Sequence, residues 1–310
     1  MNVCPITYVP LRWGSRYSLE GLQKLSPRLH MLQDLPYTTQ ELHHEIVTRV
    51  GRMSVPGVQP KLGARLDLAG QRFEIVDIGA RFILKPQSPL APHLPENEDL
   101  TMRLAAAAGL ETPFHGLLFC KDGSLVYFVQ RFDRHGRHGK VGVEDFAQLL
   151  GKSRSEKYNA TMEQVVSVID AFCTFPLLEK VKLFRLTMVN LLVGNDDMHL
   201  KNLSLIRREG KIELAPSYDL ASTALTTGGD DRDLALPLDG KQRGLTRSMV
   251  IESFGRGHLG LPSKVVESIV DEIAQACTEW ENLIEASFLT DELKTAYRTL
   301  LGQRRNRFAL

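Results

Sequence analysis

Polar residues crowd into one stretch, Gly194-Asn195-Asp196-Asp197-Met198-His199-Leu200-Lys201-Asn202, which follows a long helical pattern and precedes two short extended runs. Asp197 and Asn202 stand in D-x-x-x-x-N spacing. In kinase catalytic loops that spacing presents a carboxylate to the attacking hydroxyl and an amide oxygen to a magnesium ion. Lys201, immediately before Asn202, is placed to reach a transferred phosphoryl group. After the extended runs, Pro216-Ser217-Tyr218-Asp219-Leu220 supplies a second carboxylate. A hairpin returns the chain close to where it left, so Asp219 and Asn202 can meet around one cation. Hard oxygen ligands suit magnesium, which needs only one or two protein oxygens when phosphates and water supply the rest. Taken singly, Asp196, Asp197 and Asn202 also read as helix caps and Asp219 as a turn residue. Jointly they point to phosphoryl transfer.

That chemistry requires three further parts, and the front half offers one candidate for each. Met53-Ser54-Val55-Pro56-Gly57-Val58-Gln59-Pro60-Lys61-Leu62-Gly63 precedes the first hairpin, and main-chain N–H groups at Gly57 would face phosphate oxygens with no side chain in the way. It lacks G-x-G-x-x-G and its two prolines each remove a donor, so an ordinary loop remains an equal reading. Lys85 ends the apolar run Phe82-Ile83-Leu84, which buries one strand face and leaves the ammonium at its end. Glu98 either pairs with Lys85 or is simply an acid at a helix start. Val129-Gln130-Arg131-Phe132-Asp133-Arg134, where extended pattern gives way to helical, is either an adenine-binding connection or a strand end.

The elements that must position these groups follow from periodicity. Leu42, Ile46 and Val50 predict a helix over 39–50. Extended runs fall at 64–68, 73–76, 82–84, 116–119 and 125–132, separated by Ala69-Gly70 and Lys121-Asp122-Gly123-Ser124 turns. One helix over 96–108 interrupts them and ends at Gly109. Beyond about residue 135, helices are expected at 143–150, 162–172, 177–192, 262–280 and 291–301, broken by a hairpin of 203–206 with 211–214. The expected fold is α+β, a bilobal protein-kinase-like architecture. Residues 1–134 form a sheet-rich N-lobe and 135–310 a helical C-lobe, with a cleft between them.

Composition narrows the class. The 310 residues are 43% hydrophobic and 24% charged, as in ordinary globular proteins. Thirty-eight basic against 37 acidic residues leave a net charge of +1, too little for long-range attraction to nucleic acid or an anionic membrane. Cys4, Cys120, Cys173 and Cys277 are scattered without metal-ligand spacing, which favours a reducing compartment. Neither a cleaved signal nor a membrane segment is read, and a cytoplasmic setting is expected. The acidic loop 228–233 reads as solvated, the basic tail of Arg304, Arg305 and Arg307 as a frayed terminus, and His43-His44 as surface residues.

In combination and in order, Ser54-Val55-Pro56-Gly57-Val58-Gln59-Pro60-Lys61, Gln130-Arg131-Phe132-Asp133-Arg134, Asn195 through Asn202, and Tyr218-Asp219-Leu220 resemble the HipA family of bacterial serine/threonine kinase toxins over about residues 40–300. The front segment, with Cys4, Pro10-Leu11, Tyr17-Ser18 and Leu35-Pro36-Tyr37, looks like the short HipT branch, in which the N-terminal domain of longer relatives is a separate polypeptide. The resemblance implies that Asp197 is the base, with Lys201 and His199 beside it, and that Asn202 and Asp219 hold Mg2+. It implies an ATP site of Ser54, Val55, Gly57, Val58, Lys85, Gln130, Phe132 and His199, with Gln130 and Phe132 acting through the backbone. It makes Ser54 an autophosphorylation site, where a phosphate of about −1.5 to −2 charge would repel nucleotide or pull the loop outward. Pro56 stands where some short-branch relatives carry a second serine. The implied partners are an aminoacyl-tRNA synthetase as substrate, a helix-turn-helix antitoxin, and a small companion resembling the missing domain, with no direct nucleic acid and no membrane. The implied setting is the cytoplasm of the producing bacterium, or of a recipient cell after delivery. The alternatives are a small-molecule phosphotransferase, whose relatives place histidine before the aspartate rather than after it as His199 stands, and a non-catalytic kinase-like binding module.

Overall fold

Apolar residues at alternate positions build the front of the chain into a sheet. A computed structural model describes residues 2–49, 61–136, 139–226 and 232–310. It divides into two compact units: Met1–Leu100 with Pro113–His138 and Ala286–Leu289, and Thr101–Thr112 with Gly139–Glu285 and Thr290–Leu310.

The first unit holds α1 (Leu19–Leu25), α2 (Thr39–Arg49) and a sheet of five strands, β1 (Leu62–Asp67), β2 (Arg72–Ile75), β3 (Phe82–Lys85), β4 (His115–Phe119) and β5 (Leu125–Gln130). The strands pair antiparallel in the order β2-β1-β3-β5-β4. Phe82 and Leu84 share one face of β3 and pack into a core with Phe73 and Phe128. Phe73 meets Phe82 edge-on at 5.0 Å between centroids. Ile83 and Lys85 occupy the opposite face by the same alternation, and the register sets Lys85 opposite Tyr127. The last extended run stops at Gln130, short of the expected residue 132. Arg131 folds its guanidinium onto Asp133, Nε at 3.0 Å and Nη2 at 2.8 Å, and turns the chain. α1 was not expected: it buries only Gly21 and Leu22, so it carries almost no period, and Ser18 caps it by accepting the Gly21 N–H at 3.0 Å. α3 (Leu94–Ala107) follows β3, passes from the first unit into the second after Leu100, and stops at Gly109, whose φ of +81° places it in the left-handed region.

The second unit holds β6 (Val143–Asp145), α4 (Phe146–Leu149), α5 (Met162–Phe172), α6 (Pro176–Val193), β7 (Ser204–Arg208), β8 (Lys211–Leu214), α7 (Thr223–Thr226), a π-helix (Met249–His258), α8 (Ser263–Ala286) and α9 (Asp291–Phe308). The single helix expected over 143–150 is wrong. Val143–Asp145 pairs antiparallel with Ile206–Ser204, and the helix begins only at Phe146. Asp145 explains the break: its carboxylate accepts the Gln148 N–H and the Gln148 side chain accepts the Asp145 N–H, both at 2.9 Å, a capping box. α6 is buried on nearly all sides, from Leu183 through Val193, and so runs through the middle of this unit. α8 buries Val266, Ile269, Val270, Ile273, Ala276, Cys277, Trp280 and Ile284, the three-and-four spacing of one helical stripe.

The basic tail is not frayed. Arg304 and Arg307 belong to α9 and both bond Asp233, whose side chain is only 2% exposed. Asp233 is therefore not part of a solvated loop either; residues 228–231 of that loop lie outside the described residues. Among the described residues no helix is long and apolar enough to cross a membrane. All four cysteines are buried and free.

Candidate functional site

In the first unit, strand alternation turns Lys85 away from the phenylalanine core, and the first turns of α3 bring a carboxylate to it. Lys85 Nζ donates to Glu98 Oε1 at 2.6 Å, with both side chains at or below 6% exposure. The ammonium also lies 5.6 Å from the Tyr127 ring centroid. Glu98 is thus an ion-pair partner as well as an acid at a helix start. At the end of β5 the Gln130 N–H is already donated to the Phe114 carbonyl at 2.7 Å, which leaves its carbonyl for any further contact. Phe132 sits in the turn that follows. Ser54, Val55, Gly57 and Val58 lie outside the described residues.

In the second unit the polar stretch begins where α6 is forced to stop. Gly194 has φ +68°, and a Cβ there would stand 2.9 Å from both the Ala224 Cβ and a Leu300 methyl. Only glycine fits. The chain then folds on itself. Asn195 Nδ2 donates to Asn190 Oδ1 at 3.0 Å, and Asn195 Oδ1 accepts the Asp197 N–H at 3.1 Å. Asp196 donates its N–H to Thr223 Oγ1 at 2.9 Å and accepts the Thr223 hydroxyl at 2.6 Å, which ties it to α7 rather than to a ligand. The Asp197 carbonyl accepts the His199 N–H at 2.8 Å and Asn202 Nδ2 at 3.1 Å. With its NH2 engaged by the Asp197 carbonyl, Asn202 has its Oδ1 as the remaining side-chain acceptor.

Tyr218 bridges this loop to the second carboxylate. Its hydroxyl donates to the Lys201 carbonyl at 2.9 Å and accepts from Ser204 Oγ at 2.6 Å. Asp219 follows with φ +59°, an uncommon conformation that aspartate tolerates better than most residues. Burial is the largest influence on His199 and holds its pKa below the ordinary imidazole value; the Lys157 charge adds to this, while Asp197 and Asp219 oppose it. Both carboxylates therefore act on one ring, and the fold has brought 197, 199 and 219 into one neighbourhood. Lys157 Nζ donates to His199 Nε2 at 2.8 Å. A neutral ring accepting at Nε2 carries its hydrogen on Nδ1, and that buried atom has no hydrogen-bond partner among the described residues. Lys201 does not point freely outward: its Nζ pairs with Asp145 Oδ2 at 2.5 Å.

Three contributors escaped the sequence reading. Asp145 carried a findable signal, the D-x-x-Q capping box, hidden by the helical period around it. Lys157 and Tyr158 carried none, since they reach the loop from 42 and 39 residues upstream. The Tyr158 hydroxyl donates to Asp197 Oδ1, and its ring meets His199 edge-on at 5.1 Å. Elsewhere in the second unit, Glu163, Asp239 and His258 hold one ligand atom each within 4.8 Å of one another. Those atoms are satisfied within the cluster, His258 Nε2 by Asp239 Oδ1 at 2.7 Å and Glu163 Oε1 by the Asp239 N–H at 2.8 Å.

A curled antiparallel sheet carrying a buried Lys–Glu pair, and a helical unit carrying an Asp-to-Asn loop, define a kinase-like fold, and the class is that of a kinase. The family model described as HipA-like C-terminal domain matches residues 53–280, and the chain belongs to that family. A putative kinase of Haemophilus influenzae is 29% identical over 93% of this chain and 92% of its own length. The serine/threonine-protein kinase toxin HipA of Shewanella oneidensis is 30% identical over 71% of this chain, which spans 58% of that protein. Among solved structures, the Shewanella oneidensis HipA in complex with HipB and operator DNA superposes with a TM-score of 0.71 at 25% identity, covering 91% of this chain and 74% of that one. The Helicobacter pylori proinflammatory kinase CtkA shares the fold, with a TM-score of 0.56 at 16% identity over 73% of this chain and 86% of its own.

Proposed function

We propose that this chain is an ATP- and magnesium-dependent serine/threonine protein kinase, the toxin of a HipBST-like toxin–antitoxin system. The observation that carries the reading is the loop from Asp197 to Asn202, in which the Asn202 side-chain N–H is spent on the Asp197 carbonyl, so that its amide oxygen rather than its NH2 is available as a ligand. Asp197 takes the proton of the attacking hydroxyl. Asn202 Oδ1 and the Asp219 carboxylate, both hard oxygen donors, are suited to Mg2+, which when bound neutralises charge on the phosphates. Lys85, held by Glu98, binds phosphate oxygens, and the unpartnered Nδ1–H of His199 donates to another. Lys201 meets the transferred group only by exchanging Asp145 for it. The Gln130 carbonyl and the Phe132 backbone take the adenine edge. Ser54, Val55, Gly57 and Val58 form the phosphate loop, and Ser54 is the autophosphorylation site.

The family supports an aminoacyl-tRNA synthetase as substrate, whose modification stops charging and arrests growth. The HipA relative solved with HipB and operator DNA supports a helix-turn-helix antitoxin as partner, with DNA contact left to it. Purified protein with radiolabelled ATP and Mg2+ should label itself and lose the label with Asp197→Asn, and Ser54→Ala should remove the self-label while ATP turnover persists. Phosphoproteomics of cells expressing wild type or Asp197→Asn then identifies the substrate. Equal labelling of wild type and Asp197→Asn, or of neither, rejects the assignment.

A further inference from the structure

The segment before α5 reaches into the catalytic loop at successive points. The Lys157 carbonyl accepts the Leu200 N–H at 3.1 Å, Lys157 Nζ donates to His199 Nε2 at 2.8 Å, and the Tyr158 hydroxyl donates to Asp197 Oδ1. The Tyr158 ring is itself held, edge-on to His199 at 5.1 Å and 4.8 Å from the Lys157 ammonium. The Asp197 main chain is fixed by Asn195 and Asn202, but neither restrains rotation of its carboxylate. Among the described residues, Tyr158 is the group that does.

From this geometry we infer that Tyr158 is a positioning residue for Asp197: its hydroxyl fixes the carboxylate by Oδ1 so that Oδ2 faces the substrate hydroxyl. The inference rests on the assignment of Asp197 as the base. A base must sit within hydrogen-bond reach of the proton it takes, and terminal carboxylate torsions are broad, so an unrestrained Asp197 spends part of its time misaligned. A phenol is a neutral donor. It orients the carboxylate without transferring a charge to it, and the ring, held edge-on against His199, limits how far the hydroxyl can move. The competing role for such a contact is obstruction, with the tyrosine hydroxyl occupying the place of the substrate hydroxyl; the two roles predict opposite signs.

The test is Tyr158→Phe in the full chain, which keeps the ring and deletes the donor. Initial rates of phosphate release from Mg·ATP are measured beside the affinity for a non-hydrolysable ATP analogue and the melting temperature. The expected result is a fall in kcat on the order of 10- to 100-fold, with KM for ATP, analogue affinity and melting temperature unchanged. An unchanged kcat, an increased kcat, or a loss shared equally by analogue binding and melting temperature would each overturn the inference. Asp197→Asn is run in parallel. If it loses turnover while Tyr158→Phe does not, the positioning role fails and the base assignment stands. If Asp197→Asn turns over normally, or the wild type does not turn over at all, the assignment of Asp197 fails and the role of Tyr158 falls with it.

Discussion

Asn202 donates its side-chain N–H to the main-chain carbonyl of Asp197 at 3.1 Å, joining the two ends of the polar loop. The bond couples the direction of the Asn202 oxygen to the main chain that carries Asp197. Asn202→Asp keeps a hard oxygen for the cation but replaces the donor with an acceptor that repels the carbonyl. The variant should bind Mg·ATP yet lose about tenfold or more in kcat, measured as phosphate release at saturating nucleotide. Retention of full kcat would show that the loop does not need this bond.

Lys85 and Glu98 form an ion pair removed from water. Taking away one member deprives the other, still buried, of its ion-pair partner. Lys85→Met should therefore lower stability on the order of 3–5 kcal/mol in urea titration, and Lys85→Met with Glu98→Leu should recover much of it while leaving nucleotide binding lost. A stable single variant would place the pair in a wetter setting than its exposure indicates.

Burial, aided by Lys157 and opposed by Asp197 and Asp219, lowers the pKa of His199. The unfolded chain, with an ordinary imidazole near ~6.5, binds the proton more readily than the folded one as pH falls. Stability is therefore lost on acidification below about 6.5, by at most ~1.4 kcal/mol per pH unit for this one group. His199→Gln should flatten that slope in urea midpoints recorded between pH 7.5 and 5.5. Parallel profiles for the two proteins would contradict it.

Burial alone would push Asp233 up, but bonds from Arg307, the Leu245 N–H and Arg304 outweigh it and hold the carboxyl below its usual range. That stability is present above about pH 4 and lost as pH falls through the lowered value. Asp233→Ala leaves two guanidinium groups without their partner and should cost about 3–5 kcal/mol at pH 7, with the deficit shrinking in acid. Melting curves at pH 7 and pH 3.5 measure both.

Where local pattern and tertiary role agree, the chain could be read in advance. β3, α3, α6 and the β7–β8 hairpin follow from alternation or three-and-four spacing, and the Asp197-to-Asn202 loop stands out because polar residues follow an apolar helix. Reading failed where the partner is distant or the period absent. Residues 143–150 look helical throughout, yet Asp145 ends a strand whose partner begins at Ser204. The π-helix at Met249–His258 has no familiar period. Arg304 and Arg307 resemble a loose end until Asp233, far upstream, is seen between them. Tyr158 was invisible for the same reason: nothing adjacent to it announces a carboxylate 39 residues later.

α9 supplies Leu300 against Gly194 and both arginines to Asp233, so a ribosome releases these supports only after everything they brace. A nascent chain halted before residue 291 would carry the whole Asp197 loop with its backing still untranslated. Until α9 is made, Gly194 lacks Leu300 and Asp233 lacks its two arginines, so the loop acquires its backing only after its own residues have been synthesised.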